Sequence, residues 1–206
     1  MPYKVIFIDW DGTLSPSRFW GHWALDKKRV QDYASIQKIL FQDSPEIARK
    51  WLLGDITSEE VVELMSKKTQ LTRDDLFSNL QKSCQNMKFF DPSILEVVEK
   101  LRQKGIKVVI ATDNMDTLNR WTIPALQLTT HFDAILNSHD IKALKREKAE
   151  DGSSLFFTPY LNTQKIIPSQ TLLIDDSPNN VVVKDFGMNY TQVTSETSAL
   201  SILLLL

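Results

Sequence analysis

Short runs of consecutive apolar residues are the clearest pattern in this sequence. Four of them cover residues 5–8, 108–111, 134–136 and 172–174, and a weaker fifth covers residues 190–193. Each of the first four is uninterrupted by polar residues, which is typical of strands buried on both faces of a parallel sheet. The pattern therefore predicts a central parallel sheet.

Helical patterns separate most of these runs. Residues 91–92 are a typical helix start, apolar residues then recur at helical spacing, and Gly105 is a typical end. Residues 158–159 and 177–178 indicate two further helix starts, and a last helix is expected from near Ser195 to the terminal leucines. Strands that alternate with helices predict an α/β fold with a doubly wound (Rossmann-like) parallel sheet.

Residues 15–88 interrupt this alternation, because they contain helical patterns and no strand candidate. Thr57 with Glu60 has the spacing of a capping box, and Thr72 with Asp75 resembles a second one. An all-helical block between the first strand and the remaining strands predicts a helical cap domain inserted after that strand. The expected units are an α/β catalytic core of residues 1–14 and 89–206 and a helical cap domain of residues 15–88.

Composition and charge narrow the class of protein. The chain has 206 residues, of which 42% are hydrophobic, and this is enough for one domain with a sizeable insert. The formal net charge of -2 disfavours a nucleic-acid polymer as partner, because such a surface needs clustered lysine and arginine. Cys84 is the only cysteine in the sequence, which excludes an intrachain disulfide and fits a protein of a reducing compartment. We interpret Cys84 as an ordinary residue on the face of a helix. The N-terminal apolar run is too short for a signal peptide and the terminal leucines are too few for a membrane span, so we expect a cytoplasmic protein with no membrane partner.

Polar residues gather directly after the predicted strands. Because parallel strands direct their carboxyl ends to one edge of the sheet, we expect these residues to form one site there. They are Asp9, Asp11, Gly12 and Thr13 after the first run, Thr112, Asp113 and Asn114 after the second, Ser138, Lys142 and Lys145 after the third, and Asp175 and Asp176 after the fourth.

The residue types at this edge indicate phosphate chemistry. Converging carboxylates repel one another unless a cation neutralises them, and oxygen ligands of this kind suit Mg²⁺. The metal and a lysine can then hold an anionic phosphate. One carboxylate of the Asp9 and Asp11 pair can attack phosphorus while the other transfers protons, and Thr13 offers hydroxyl and amide donors.

Several of these residues, in this order and at these strand ends, resemble the four motifs of the haloacid dehalogenase-like superfamily, and the match spans nearly the whole chain. The matching residues are Asp9-x-Asp11-Gly12-Thr13, then Thr112, then Lys145, then Asp175-Asp176. The resemblance implies a magnesium-dependent phosphohydrolase that cleaves a small phosphomonoester through an aspartyl-phosphate. It implies the phosphatase branch, because dehalogenases of the superfamily lack the second carboxylate, here Asp11. It implies a capped member of that branch, because residues 15–88 resemble the helical cap of one large group of these enzymes.

The resemblance also implies a role for each residue. Asp9 would be the nucleophile and a metal ligand, and Asp11 would be the general acid/base, with its backbone carbonyl as a further metal ligand. Lys145 would hold the nucleophile and the phosphoryl group together, and Thr112 would hydrogen-bond the phosphoryl oxygens. The remaining candidates are Gly12, Thr13, Asp113 and Asn114 for phosphate binding, and Asp176 with its neighbour Asp175 for Mg²⁺.

Two positions depart from the family pattern. A proline commonly follows the motif lysine, whereas Arg146 follows Lys145 here. Lys142 is the alternative lysine, although the interval from Ser138 favours Lys145. In the last motif, an Asp-Asp pair replaces the more common Gly-Asp pair, which leaves open whether Asp175 binds the metal directly.

Other functions use similar residues. A phosphomutase of the same fold would share every motif and return the phosphoryl group to its substrate. A non-catalytic binding module could retain the fold without the reaction. A signalling receiver domain also combines aspartates, a threonine, a lysine and Mg²⁺, but its phosphorylated aspartate follows a middle strand of the chain, so the chain order here disfavours it.

Aromatic residues are frequent in the predicted cap. Arg18, Trp20, His22 and Trp23 follow the first motif, and both substrate contact and aromatic packing are open interpretations, of which packing is favoured. Trp51 lies at helical spacing and predicts core packing. Nothing in residues 15–88 identifies the substrate.

Overall fold

Five parallel strands form the centre of the molecule in the computed structural model, which describes residues 3–178 and 181–206. The predicted α/β class with a parallel sheet is confirmed, and the weaker fifth run is also a strand. The sheet order is β3-β2-β1-β4-β5, and every pairing is parallel. The strands are β1 (Val5–Ile8), β2 (Lys107–Thr112), β3 (Ala134–Asn137), β4 (Thr171–Asp175) and β5 (Asn189–Gln192).

Helices cover both faces of the sheet. They are α1 (Val30–Lys38), α2 (Pro45–Leu52), α3 (Ser58–Lys68), α4 (Arg73–Gln85), α5 (Ile94–Gln103), α6 (Ile123–Leu126), α7 (Leu128–His131), α8 (Ser138–Ile141), α9 (Thr158–Gln164), α10 (Val181–Asp185) and α11 (Ala199–Leu204). Short turns of 3₁₀ geometry occur at Gly21–Leu25 and Pro168–Gln170, and turns of π geometry at Ile39–Asp43 and Leu118–Thr122. Within residues 3–178 and 181–206, no helix has the length and apolar character that crossing a bilayer requires.

The central strand β1 is buried on both faces because its side chains alternate between two hydrophobic clusters. Ile6 and Ile8 join the cluster that contains α5, α11 and the helices of residues 15–88. Val5 and Phe7 join the other cluster, in which Phe7 packs against Phe157 with ring centroids 5.1 Å apart. This burial explains why the strand reads as an uninterrupted apolar run.

Residues 15–88 contain α1 to α4 and no strand, as their pattern predicted. The segment shares one continuous core with the face of the sheet that carries Ile6, through side chains such as Trp51 and Leu80. The rings of Phe77 and Trp121 meet edge to face with centroids 5.6 Å apart. Trp51 is fully buried, as expected.

The two predicted capping boxes differ in outcome. At the start of α3 both halves form, because Glu60 Oε2 accepts the Thr57 N–H at 2.7 Å and Thr57 Oγ1 accepts the Glu60 N–H at 3.3 Å. At the start of α4 only the Thr72 hydroxyl accepts, from the Asp75 N–H. The Asp75 carboxylate instead binds Arg29 Nη2 at 2.6 Å, a tertiary ion pair that competes with the local cap.

Two predicted helix starts shift in the structure, and a third cannot be compared. The last helix begins at Ala199 and not near Ser195, because Ser198 is its N-cap and accepts the Ser201 N–H at 3.1 Å. Helix α5 begins at Ile94, since the Asp91 carboxylate accepts the Ser93 N–H at 2.9 Å and holds a turn before the helix. Helix α10 begins at Val181, and the predicted start at 177–178 adjoins residues 179–180, which lie outside the described residues.

Candidate active site

The sheet brings the predicted polar residues together at one edge. Asp9 follows β1, and its backbone N–H donates to the Ile174 carbonyl of the adjacent strand at 2.9 Å, which continues the strand pairing into the site. Thr112 ends β2 and Asp175 ends β4. The carboxyl ends of three neighbouring parallel strands therefore supply the site.

Lys145 joins two of these strand ends through a buried ammonium group. Its Nζ donates to Asp9 Oδ1 at 2.7 Å and to Asp175 Oδ2 at 2.6 Å. Its backbone N–H donates to Asp113 Oδ1 at 2.9 Å, which ties the Lys145 loop to the residue that follows β2. Lys142 does not lie with them, because its Nζ donates to the Gly54 carbonyl at 2.9 Å and its backbone is left-handed. The structure thus places Lys145, and not Lys142, against Asp9.

The triad of Lys145, Asp9 and Asp175 has pKa values that follow from burial and from its single ammonium group. Burial raises the pKa of Asp9 to about 7, although Lys145 opposes the rise. Burial would also raise the pKa of Asp175, but Lys145 and the Ser177 N–H outweigh it and hold that pKa below its usual range. Burial disfavours the charged form of Lys145, yet the surrounding carboxylates outweigh it and raise the pKa of the ammonium. The lysine is therefore charged at neutral pH.

Asp11 lies beside this triad in different surroundings. Its Oδ2 accepts the Asn114 side-chain N–H at 2.9 Å, and its Oδ1 lies 4.0 Å from Arg18 Nη1. The side chain is 35% exposed, and the protein around it raises its pKa to about 6, through desolvation that outweighs the attraction of Arg18 and Lys145. Two carboxylates from one strand end thus have different partners, and burial raises the pKa of both.

Three carboxylates form a candidate metal site. Oxygen atoms of Asp9, Asp175 and Asp176 lie within 4.8 Å of one another. Burial and then the neighbouring Asp175 charge raise the pKa of Asp176, so these groups repel one another as they stand. Hard oxygen donors in mutual repulsion fit a divalent cation such as Mg²⁺.

Gly12 allows the Asp176 carboxylate to approach the loop after β1. The Gly12 backbone has φ +81°, and a Cβ atom there would lie 2.1 Å from Asp176 Oδ2. No side chain larger than hydrogen fits this position without moving the carboxylate. The glycine of the first motif therefore has a steric role, in addition to its predicted place near a phosphate.

Two buried hydroxyl groups complete the edge. Thr13 and Thr112 are almost fully buried, and neither Oγ1 has a hydrogen-bond partner among the described residues. A buried hydroxyl without a partner is costly in a folded protein, and such groups commonly await a ligand. Their donors suit the oxygens of a phosphoryl group.

A sequence model of the haloacid dehalogenase-like hydrolase family matches residues 3–182. The chain belongs to the haloacid dehalogenase-like hydrolase family. This confirms the resemblance that the motifs indicated. No curated protein matches the chain at a significant level.

Solved structures with a similar fold include members of this family. A HAD family enzyme from Bacteroides thetaiotaomicron has a TM-score of 0.70 at 18% identity, and the match covers 94% of each chain. A complex of that enzyme with magnesium and inorganic phosphate has a TM-score of 0.62 at 20% identity, over 94% of this chain and 95% of that one. The L-2-haloacid dehalogenase from Xanthobacter autotrophicus has a TM-score of 0.64 at 17% identity, over 95% of this chain and 80% of that one. At these identities the similarity shows the fold.

Two open cavities flank the catalytic edge of this haloacid dehalogenase-like hydrolase. One, of about 610 Å³, lies on the side of Gly12, Thr13 and Asp176. The other, of about 470 Å³, lies between the helical segment and the loop after β2. It is lined by Asp11, Arg18, Phe19, Gln37, Phe41, Gln42, Leu52, Asp113 and Met115.

The sequence identified Asn114 and Arg18 as candidate site residues, but it predicted neither the partner of Asn114 nor the place of Phe41 at a cavity. The hydrogen bond from Asn114 to Asp11 joins residues far apart in the chain, so no local pattern predicts it. Within residues 15–88, the candidates for substrate contact were the residues that follow the first motif, and of these Arg18 lines the 470 Å³ cavity. Trp20, His22 and Trp23 pack inside the segment, where the Trp20 indole N–H donates to the Leu76 carbonyl at 2.9 Å. Arg18 could be found from the sequence because it lies shortly after the first motif. No pattern in the sequence indicated Phe41.

Proposed function

We propose that this hydrolase removes phosphate from small phosphomonoesters through an aspartyl-phosphate on Asp9, with Mg²⁺ as cofactor. The observation that carries the proposal is the second carboxylate, Asp11. It lies outside the Lys145 ion pairs, and its pKa is raised to about 6. A carboxyl group with such a pKa can hold a proton for a leaving oxygen near neutral pH and accept one from water afterwards.

In the first step, a carboxylate oxygen of Asp9 bonds to phosphorus while the bond from phosphorus to the ester oxygen breaks. Lys145 donates to Asp9 Oδ1 at 2.7 Å, which orients the carboxylate and leaves its other oxygen for attack. The raised pKa of Asp9 belongs to the metal-free site, and a cation held there would favour the charged carboxylate that attacks. Asp11 gives its proton to the leaving oxygen, so the product departs as a neutral alcohol.

In the second step, Asp11 accepts a proton from water as the water oxygen bonds to phosphorus. The bond between phosphorus and Asp9 breaks, which frees inorganic phosphate and restores both carboxyl groups. Thr13 and Thr112 are proposed to donate their unpaired hydroxyls to the phosphoryl oxygens in both steps, with backbone help from Asp113.

The metal would be held by Asp9, Asp176 and the Asp11 carbonyl, with Asp175 beside them. When bound there, Mg²⁺ supplies positive charge that offsets the repulsion between these carboxylates and an anionic phosphate. The carboxylate cluster of Asp9, Asp175 and Asp176 supports this assignment. Since Lys145 already neutralises Asp175 at 2.6 Å, we propose Asp176 as the direct ligand of the pair.

We also propose that residues 15–88 act as a cap that covers the site and excludes water from the first step. Its support is the position of Arg18, Phe19 and Leu52 on one wall of the 470 Å³ cavity, while Asp11 and Asp113 lie on the other wall.

A haloacid dehalogenase is the second candidate function, because the fold is similar to that of the L-2-haloacid dehalogenase. In that reaction Asp9 would attack carbon in place of phosphorus. Asp11 favours phosphate, since a leaving halide needs no proton donor whereas a leaving alkoxide does.

The test is a phosphate-release screen over phosphomonoesters with Mg²⁺, run beside a halide-release assay on 2-chloropropionate. We expect phosphate release that a chelator abolishes. Asp9→Asn should fold and lose turnover by at least about 1,000-fold. Asp74→Asn, an exposed control on α4, should keep it. With an activated aryl phosphate, whose leaving group needs no proton donor, acid quenching of an Asp11→Asn reaction should trap a phosphorylated protein. Halide release without phosphate release would establish the dehalogenase, and full turnover by Asp9→Asn would remove the nucleophile from the mechanism.

A further inference from the structure

We propose that the 470 Å³ cavity binds an apolar leaving group of aromatic size, and that Phe41 selects it. This inference rests on the proposed phosphatase function and adds the substrate class: aryl or similarly apolar phosphomonoesters in preference to sugar phosphates. It follows from which cavity the proton donor faces, from the chemistry of the cavity walls, and from the exposure of Phe41.

The proton donor decides which of the two cavities receives the leaving group. An acid that protonates the ester oxygen must touch that oxygen, so the rest of the leaving group extends from there. Asp11 lines the 470 Å³ cavity and does not line the 610 Å³ cavity, which meets the site at Asp176. The smaller cavity is therefore on the leaving-group side.

The walls of that cavity are mainly apolar. Phe19, Phe41, Leu52 and Met115 supply its hydrophobic surface. Burying a sugar against such walls would leave several hydroxyls without partners, at a cost of about 1–3 kcal/mol for each group. An aryl group makes no such demand, and a cavity of about 470 Å³ is large enough for it.

By number, five of the nine lining residues are polar, and the protein already engages several of them, including Asp11 and Asp113. Gln37 Nε2 donates to the Phe19 carbonyl at 3.3 Å. Arg18 Nη1 donates to the Ser17 carbonyl at 3.0 Å and lies 4.0 Å from Asp11. Gln42 is exposed at the rim. An apolar group needs none of the donors and acceptors that remain, whereas each buried hydroxyl of a hexose would have to find a partner among them.

Unlike the other apolar residues of this wall, Phe41 does not pack in the hydrophobic core. Its side chain is 43% exposed, whereas neighbouring Leu40 is fully buried. It lies in the π turn of residues 39–43, and single π turns inside helical regions are frequent at functional sites. A large exposed aromatic residue that lines the same cavity as the proton donor can cover an apolar ligand and lose its own contact with water.

The experiment compares kcat/KM for phenyl phosphate and glucose 6-phosphate, and measures binding of the non-hydrolysable phenylphosphonate and methylphosphonate with Mg²⁺. We expect the wild type to prefer the phenyl member of each pair. Phe41→Ala should lower kcat/KM for phenyl phosphate by about tenfold, mainly through KM, and change the glucose 6-phosphate value by less than about twofold. Phe41→Leu should recover part of the loss.

Phe90→Ala is the matched control, because Phe90 is 58% exposed and lines the other cavity. It should leave both preferences unchanged. A wild-type preference for the sugar phosphate, or a loss in Phe90→Ala and not in Phe41→Ala, would overturn the inference while leaving the phosphatase intact. Absence of any phosphate release, with the phenylphosphonate preference retained, would overturn the proposed function and not the binding site.

Discussion

The Trp51 indole N–H donates to Asp116 Oδ1 at 2.8 Å and joins helix α2 to the chain that follows β2. Asp116 also accepts the Ser58 hydroxyl at 2.6 Å and Arg120 Nη1 at 2.8 Å, and it is buried. Residues 112–114, which carry the proposed phosphate contacts, lie directly before it. The helical segment is thus attached to the chain that follows β2 by a buried charge with several partners.

We expect Asp116→Asn to lower the free energy of unfolding by about 2–4 kcal/mol, because buried donors lose a charged acceptor. Burial would raise the pKa of Asp116, but the hydrogen bonds from Ser58, Arg120 and Trp51 outweigh it and lower that pKa. The stabilisation is therefore present above the ordinary carboxyl pKa and is lost as pH falls through the lower folded value. Urea unfolding at neutral and acidic pH measures it, and Asp74→Asn should show neither effect.

Gly12→Ala should abolish most catalysis, by about 100-fold or more, because its Cβ would lie 2.1 Å from Asp176 Oδ2 and displace that carboxylate. Gly152→Ala is the matched control, since Gly152 has φ +82° and no atom within 4 Å of the added Cβ. Both variants carry the backbone strain of about 1–2 kcal/mol, and only Gly12→Ala has the clash. Turnover and Mg²⁺ titration compare them, and equal losses in the two variants would refute the steric explanation.

Thr112→Val should separate activity from stability. Its buried hydroxyl has no partner among residues 3–178 and 181–206, so its removal should change the free energy of unfolding by less than about 1 kcal/mol. Turnover should fall by about 100-fold, because one phosphoryl donor is lost. Thr112→Ser should restore most of it.

Thr122→Val is the opposite case and serves as its control. The Thr122 hydroxyl is also buried, but it donates to the Cys84 carbonyl at 3.1 Å. This variant should lose about 1–2 kcal/mol of stability and keep its turnover. Steady-state kinetics and urea unfolding of both variants test the contrast, which fails if Thr112→Val is the less stable of the two.

The metal-free protein should lose stability as pH rises, through Asp9. Its pKa is raised from 3.8 to about 7 in the folded state, so between these values the folded protein holds a proton that the unfolded chain has released. The free energy of unfolding of Asp9→Asn, relative to wild type, should therefore increase from about pH 4 to pH 7 by up to roughly 4 kcal/mol and then level off. Urea unfolding in the presence of a chelator measures this difference in the free energy of unfolding. The control Glu46→Gln, at the exposed start of α2, should show no such trend. A difference between Asp9→Asn and wild type that does not change with pH would contradict the raised pKa.

Local pattern was sufficient for the sheet and for the position of the site. Uninterrupted apolar runs such as residues 5–8 predicted strands buried on both faces, and the structure places each run in the parallel sheet. Since parallel strands end at one edge, polar residues directly after them, such as Asp9 and Asp175, had to approach one another. The prediction of capping boxes was less accurate, because the Asp75 side chain pairs with Arg29 in the tertiary structure and does not complete the second box.

The sequence by itself determined which segments are strands, where several of the helices lie and which chemical groups stand at the strand ends, because burial periodicity and polar punctuation are local properties of the chain. Only the tertiary structure decided that Lys145, and not Lys142, forms the ion pair with Asp9. It also decided that Asn114 donates a hydrogen bond to Asp11 and that Phe41 lines a cavity. These contacts join residues distant along the chain, so they depend on how the helical segment and the loop after β3 pack against the sheet. Packing of that kind leaves no periodic signal in the sequence.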